Sequence, residues 1–215
     1  MQMLSDTKLQ KEKEELIQYW ESSGIIKDKS VLDAFRCVPR EEFMAKNVKA
    51  LAYKDSAFPL MDKQTISQPR TVLLMLQALD VKEGMKVLEV GAGSGYNAAL
   101  ISMLVGKKGK VITTEIIKSL AEYATKRLKE YRNVEVIHTD GSQGYEKESK
   151  YDRIIVTAAC KEIPQPLHNQ LKNDGILLAP VGSSLKQILT KVTKTKKESL
   201  GEFVFVPLTG KFGKN

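Results

Sequence analysis

The sequence predicts a doubly wound α/β domain, with a mostly parallel sheet covered by helices on both faces, and three observations predict it. From Lys86 onward, short β-rich runs alternate with helical ones, the pattern of crossover units. The first run ends in EVGAGSGYN, a glycine-rich turn that opens a helix. After Gly182 the alternation stops, and LKQILTKVT and GEFVFVPL read as two successive strands forming an antiparallel edge. A chain of 215 residues suits one main domain. We divide it into a helical extension over residues 1–60 and a core with its edge strands over 61–215.

In the extension, Leu9, Leu16, Ile17 and Trp20 share one helical face, with Ser5 as a cap and Gly24 as a stop. SVLDAF predicts a second helix capped by Ser30, and EEFMAKNV a third. QTISQP precedes a helix that Pro69 opens and that runs to Leu79, with Ser67 or Gln68 placed to cap it. Beyond it, KVLEVG, KVITTEI, VEVIHTD, YDRIIVTAA and GILLAPVG read as strands. NAALISMLV, SLAEYATKRLKEY and PQPLHNQLK read as the helices between them.

Composition narrows the function. The longest apolar run, TVLLMLQAL, is far shorter than a membrane span, and the N-terminus lacks the apolar stretch of a secretory signal. Cys37 and Cys160 stand in unrelated contexts, so neither a disulfide framework nor a metal site with paired ligands is expected. A soluble monomer in the cytoplasm is the expectation. The 34 basic and 26 acidic residues give a net charge of +8, which allows a nucleic-acid partner. Much of the excess is local, however. Lys186, Lys191, Lys194, Lys196 and Lys197 read as solvated lysines guarding a sheet edge.

The chemistry gathers at strand ends, where sheets of this kind bind ligands. Gly91, Gly93 and Gly95 allow a tight turn and close backbone approach, and Glu89 precedes them by two residues. Tyr96 occupies the place where a dinucleotide fingerprint wants a further glycine. An acid at a strand end followed by G-x-G-x-G resembles the first motif of class I methyltransferases, which have a Rossmann-like sheet and bind S-adenosylmethionine. Glu115 ends the second strand and is placed to accept from ribose hydroxyls. Asp140, followed by Gly141, ends the third and is placed to accept from an adenine amino group. The fourth strand ends in VTAAC, without the Asn or Asp followed by two prolines that marks amino-methylating nucleic-acid enzymes. The carboxylate ligands of metal-dependent enzymes are also missing there. Cys160 is expected to be buried and inert.

The ordered set AFRCVPREEF, QTISQP, KVLEVGAGSGYNAA, DGSQGY, YDRIIVTAA, IPQPL and FVPLTGKFG resembles the protein-L-isoaspartate O-methyltransferases, from about residue 31 to the C-terminus. That resemblance implies methyl transfer from S-adenosylmethionine to isoaspartyl residues of damaged proteins. It makes Ser67 the active-site residue, with Thr65, Ile66 and Thr157 beside the acceptor and no nucleic acid as substrate. The hydroxyls of Thr65, Ser67 and Thr157 are expected to hold the acceptor carboxylate. Members of that family often carry glycine where this chain has Lys63, and His or an aromatic residue where it has Arg70. Both cations are expected to favour acceptors with acidic neighbours. Two other readings stay open on the residues: an RNA or DNA methyltransferase, and a non-catalytic cofactor-binding interaction module.

Overall fold

Val87 and Leu88 are adjacent, yet they belong to opposite hydrophobic clusters, and the same holds for Ile154 and Ile155 and for Leu177 and Leu178. Alternation of this kind means that one sheet is buried on both faces. The structure is a computed structural model describing residues 2–183 and 185–213. Its strands are β1 (Phe58–Pro59), β2 (Thr65–Ile66), β3 (Lys86–Val90), β4 (Lys110–Glu115), β5 (Val134–His138), β6 (Tyr151–Val156), β7 (Leu171–Gly182), β8 (Gln187–Val192) and β9 (Lys197–Phe203). The helices are α1 (Gln2–Ser22), α2 (Lys29–Cys37), α3 (Pro69–Leu79), α4 (Tyr96–Val105), α5 (Lys118–Arg127) and α6 (Gln165–Gln170).

The main sheet has the order β5-β4-β3-β6-β7-β8-β9, parallel through β7 and antiparallel over β8 and β9, as the sequence predicts. One face packs against α3 and α4 through Leu73, Leu76, Ala98 and Ile101. The other is covered by α6, through Leu167, and by the segment around Leu208. Trp20 and Phe35 of the extension belong to the same cluster as Leu73 and Val87 of the core. Among the described residues no helix is long and apolar enough to cross a membrane.

Several boundaries differ from expectation. Helix α1 starts at Gln2, so Ser5 lies inside it. Ser30 is not the cap of α2; Asp28 is, its carboxylate accepting from the Ser30 and Val31 N–H groups. The third helix is only a 3-10 turn, Arg40–Phe43. Phe43 and its neighbour Met44 are both buried, and an extended Met44 after one tight turn lets consecutive side chains go inward. The last strand lies earlier than GEFVFVPL. Buried Gln187 takes the Phe205 N–H on its side-chain oxygen at 2.7 Å, ending the ladder. Residues 206–208 then pair with Ala159 instead.

Phe35 is fully buried between Trp20 and Tyr53, with ring centroids 5.2 and 5.9 Å away in edge-to-face arrangements. Phe35→Ala should lower the unfolding free energy by about 3–5 kcal/mol, the cost of a large core truncation. Urea denaturation followed by circular dichroism tests this, and a loss below about 1 kcal/mol would show that the extension is not part of the core.

Candidate active site

Strand β3 lies between β4 and β6, and the chain's crossovers leave it in opposite directions, which opens a crevice at the carboxyl ends of these strands. A cavity of ≈ 490 Å³ occupies that crevice, between the Gly91–Gly95 loop and residues 64–68.

Gly91, Gly93 and Gly95 have φ of 97°, 52° and 86°, a region side chains rarely enter. A Cβ on Gly91 would stand 2.5 Å from Thr157 Oγ1. The Thr157 hydroxyl donates to the Gly91 and Val90 carbonyls at 2.7 and 3.0 Å. Its single proton is therefore committed, and Thr157 braces the glycine loop instead of offering a donor to an acceptor carboxylate. Glu115 is buried, and its two oxygens accept from the Gly93 and Ile117 N–H groups at 2.9 and 3.0 Å. Each oxygen keeps a lone pair for a ligand hydroxyl.

Glu89 is fully buried in the wall of the cavity. Thr113 Oγ1 and Asn97 Nδ2 donate to its carboxylate. Burial pushes the carboxyl up to about 7, the two hydrogen bonds and nearby Glu115 being the smaller influences. The buried Asn97 Oδ1 beside it has no hydrogen-bond partner. An unpaired acceptor next to a carboxylate without a cation is a place for a positively charged donor.

Asp140 and Gly141 divide the task that the sequence gives to Asp140. The Asp140 carboxylate accepts from the Ser142 N–H and hydroxyl, Gln143 Nε2 and the Lys211 N–H. Burial raises this carboxyl, but the donors from Lys211 and Ser142 outweigh it and hold it below its usual range. It thus ties the 209–212 segment to the turn, while Gly141 lines the cavity. A Cβ on Gly141 would collide with Thr114 Oγ1.

Across the cavity, β1 and β2 form a small hairpin whose tip, Asp62 and Lys63, has φ of 54° and 58°. Lys63 thus occupies a left-handed position, where glycine carries no Cβ penalty. Ile66 is buried, while Thr65 and Ser67 border the cavity with hydroxyls that make no hydrogen bond within the described chain. Gln68 precedes α3 without capping it. Arg70 is partly engaged elsewhere, its Nε lying 3.3 Å from Asp55 Oδ2. Cys160 is buried and its Sγ approaches the Pro180 carbonyl at 3.4 Å, as an inert residue would. Among the described residues the cavity lining includes no Lys, Arg, His, Cys or Asp. Among the described residues no cluster of His, Cys, Asp and Glu could hold a metal.

A family profile described as protein-L-isoaspartate (D-aspartate) O-methyltransferase matches residues 11–213. The chain belongs to this family. It is 46% identical to a protein-L-isoaspartate O-methyltransferase of Methanococcus maripaludis, over 89% of this chain and 93% of that one. It is 47% identical to a protein-L-isoaspartate O-methyltransferase 2 of Archaeoglobus fulgidus, over 86% and 87%. Among solved structures, a protein-L-isoaspartate O-methyltransferase superposes with a TM-score of 0.83 at 30% identity, covering 94% of this chain and 67% of that one. A Plasmodium falciparum protein described as a putative member, in complex with S-adenosyl-L-homocysteine, superposes with a TM-score of 0.79 at 27% identity, over 91% and 97%.

Two parts of the candidate site escape local sequence patterns. Asn97 reads as an ordinary helical residue, and only its place in the first turn of α4, directly after the glycine loop, brings it to Glu89. Residues 204–208, expected as part of a strand, line the cavity instead.

Because the Glu89 carboxyl is raised from 4.5 to about 7 on folding, its contribution is present below the unfolded value and is lost as pH rises through about 7. Without cofactor, Glu89→Gln should therefore gain stability relative to the parent between pH 5 and 8, by up to about 3 kcal/mol. Urea titrations at both pH values check this; a gap independent of pH would show that Glu89 does not titrate in that range.

Proposed function

We propose that this chain transfers the methyl group of S-adenosylmethionine to the free α-carboxylate of L-isoaspartyl residues in damaged proteins. The methyl ester formed collapses to a succinimide, and repeated cycles return part of it to normal aspartate. One observation carries the reading. A single cavity joins a glycine loop with Glu89 and Glu115 on one wall to the unengaged hydroxyls of Thr65 and Ser67 on the other, with no cationic side chain among the described residues of its lining.

The residues present fit the cofactor. Glu89 and the orphan Asn97 Oδ1 suit an ammonium group, and the spare lone pairs of Glu115 suit ribose hydroxyls. Gly91, Gly93 and Gly95 give close backbone access. Gly141 lets the adenine end approach the wall, and Asp140 fixes the turn that presents it. When bound, the cofactor supplies an electrophilic methyl group on a sulfonium.

The acceptor needs little from the protein except placement. Its carboxylate is ionised at neutral pH, so no general base is required. Ser67 and Thr65 donate hydrogen bonds that turn one carboxylate oxygen toward the methyl group, with Ile66 fixing the segment from its buried side. Ser67 acts as an orienting donor and not as a nucleophile, since no base activates it. Near-attack placement supplies roughly 7–11 kcal/mol of such a barrier. The missing cation is also favourable. A Lys or Arg clamp on the acceptor carboxylate would hold the charged ground state more tightly than a transition state in which that charge is being neutralised.

Purified protein with labelled cofactor should methylate an isoaspartyl peptide and leave its normal-aspartyl twin, RNA and DNA unlabelled. Label on nucleic acid alone would replace this reading with a nucleic-acid methyltransferase, and label on none of them with a cofactor-binding module. Ser67→Ala should lower kcat about tenfold or more with cofactor Kd unchanged. Glu115→Ala should cost about 1.5–3 kcal/mol of cofactor binding by calorimetry, and unchanged affinity would remove Glu115 from the site.

A further inference from the structure

The wall that carries Ser67 is held from behind by residues outside the cavity. Asp55 is the centre of that hold. Its Oδ1 accepts from the Arg70 N–H at 3.0 Å, its Oδ2 lies 3.3 Å from Arg70 Nε, and its carbonyl accepts from Gln68 Nε2 at 2.9 Å. Arg70 is the second residue of α3, so Asp55 supplies the capping carboxylate that Gln68 does not. It grips the chain on the C-terminal side of Ser67.

The loop that presents Asp55 is anchored in turn by Arg40. This guanidinium is fully buried, and no carboxylate reaches it within ion-pair distance among the described residues. Its Nε donates to the Ala52 carbonyl at 2.9 Å and its Nη2 to the Ser56 carbonyl at 3.4 Å, one on each side of Asp55. The same group stands 5.2 Å from the ring centre of Tyr96, which follows the glycine loop and lines the cavity. Nη1 has no partner. Burying a cation without a counter-ion is costly, and burial lowers its pKa to about 10. A planar fork of fixed donors is what the arrangement gains, and Lys cannot supply it.

We infer that Asp55, with Arg40 fixing its loop, is a positioning residue that sets Ser67 against the glycine loop, so that the extension governs the acceptor half of the cavity. This rests on Ser67 being the residue that orients the acceptor.

The test compares Asp55→Ala, Asp55→Asn and Arg40→Lys with the parent, using kcat/KM for an isoaspartyl peptide and calorimetric Kd for S-adenosylhomocysteine. Leu177→Ala, in the cluster on the opposite face of the sheet, serves as a destabilised control away from this hold. Asp55→Ala should lower kcat/KM about fivefold or more, the factor that a lost cap carries, and leave Kd within about twofold. Asp55→Asn, which keeps an accepting oxygen, should recover most of the loss; Arg40→Lys should resemble Asp55→Ala. An unchanged kcat/KM in Asp55→Ala, or an equal loss in Leu177→Ala, would overturn the inference. Amide exchange at residues 65–68 separates the two readings. If the parent leaves isoaspartyl peptide unmethylated, the proposed function falls, while faster exchange there in Asp55→Ala but not at residues 91–95 would still support the hold. Unchanged exchange would refute it.

Discussion

Glu89 occupies a position where a parallel strand, covered on both faces, ordinarily carries a branched apolar side chain. Its neighbours on β3, Leu88 and Val90, are of that kind, and all three are essentially inaccessible to solvent. A carboxyl there is tolerated because Thr113 and Asn97 turn donors toward it and because it can take up a proton. The arrangement leaves that wall of the cavity without a counter-charge among the described residues. A cationic ligand restores the missing partner, so the same group that weakens the folded state contributes to holding the ligand.

The two walls of the cavity are built by different means. On the glycine-loop side, backbone N–H groups reach carbonyl and carboxylate acceptors on β4, and a side-chain hydroxyl on β6's carboxyl end locks the carbonyls. That wall is an outgrowth of the sheet and shares its rigidity. The Ser67 side belongs to a short hairpin and a helix start, held by groups on neighbouring loops. On this side the cavity is lined by hydroxyl, amide and apolar groups, which would suit an acceptor whose surroundings vary from protein to protein.

How much of this was legible in the sequence depends on the range of the interactions concerned. Alternating β-rich and helical runs give the order of the sheet's elements, since burial on both faces writes itself into each segment separately. Pro69 marks the start of α3, and the three glycines mark their turn, because backbone geometry restricts those positions locally. Asp28, and not Ser30, caps α2, a choice between two polar residues that composition does not decide. The roles of Thr157, Asn97 and Asp55 depend on which distant backbone group each one meets. Periodicity carries no record of such meetings, and motif resemblance marks a residue as present without saying which atom it serves. For the same reason Arg70 looked available in the sequence and is partly engaged in the fold.

The central pairing of β3 with β6 joins Val87 to Arg153 and Val90 to Val156. The Thr157 brace on Gly91 spans 66 positions of the chain. Closing so long a loop comes at an entropic cost before any contact is returned, so this pairing is a slow step compared with local helix formation. The glycine loop acquires its working shape only after that closure. Ligand affinity is therefore a readout of completed folding rather than of local structure. A protein that acts on damaged chains is, by this topology, silent while it is itself unfinished.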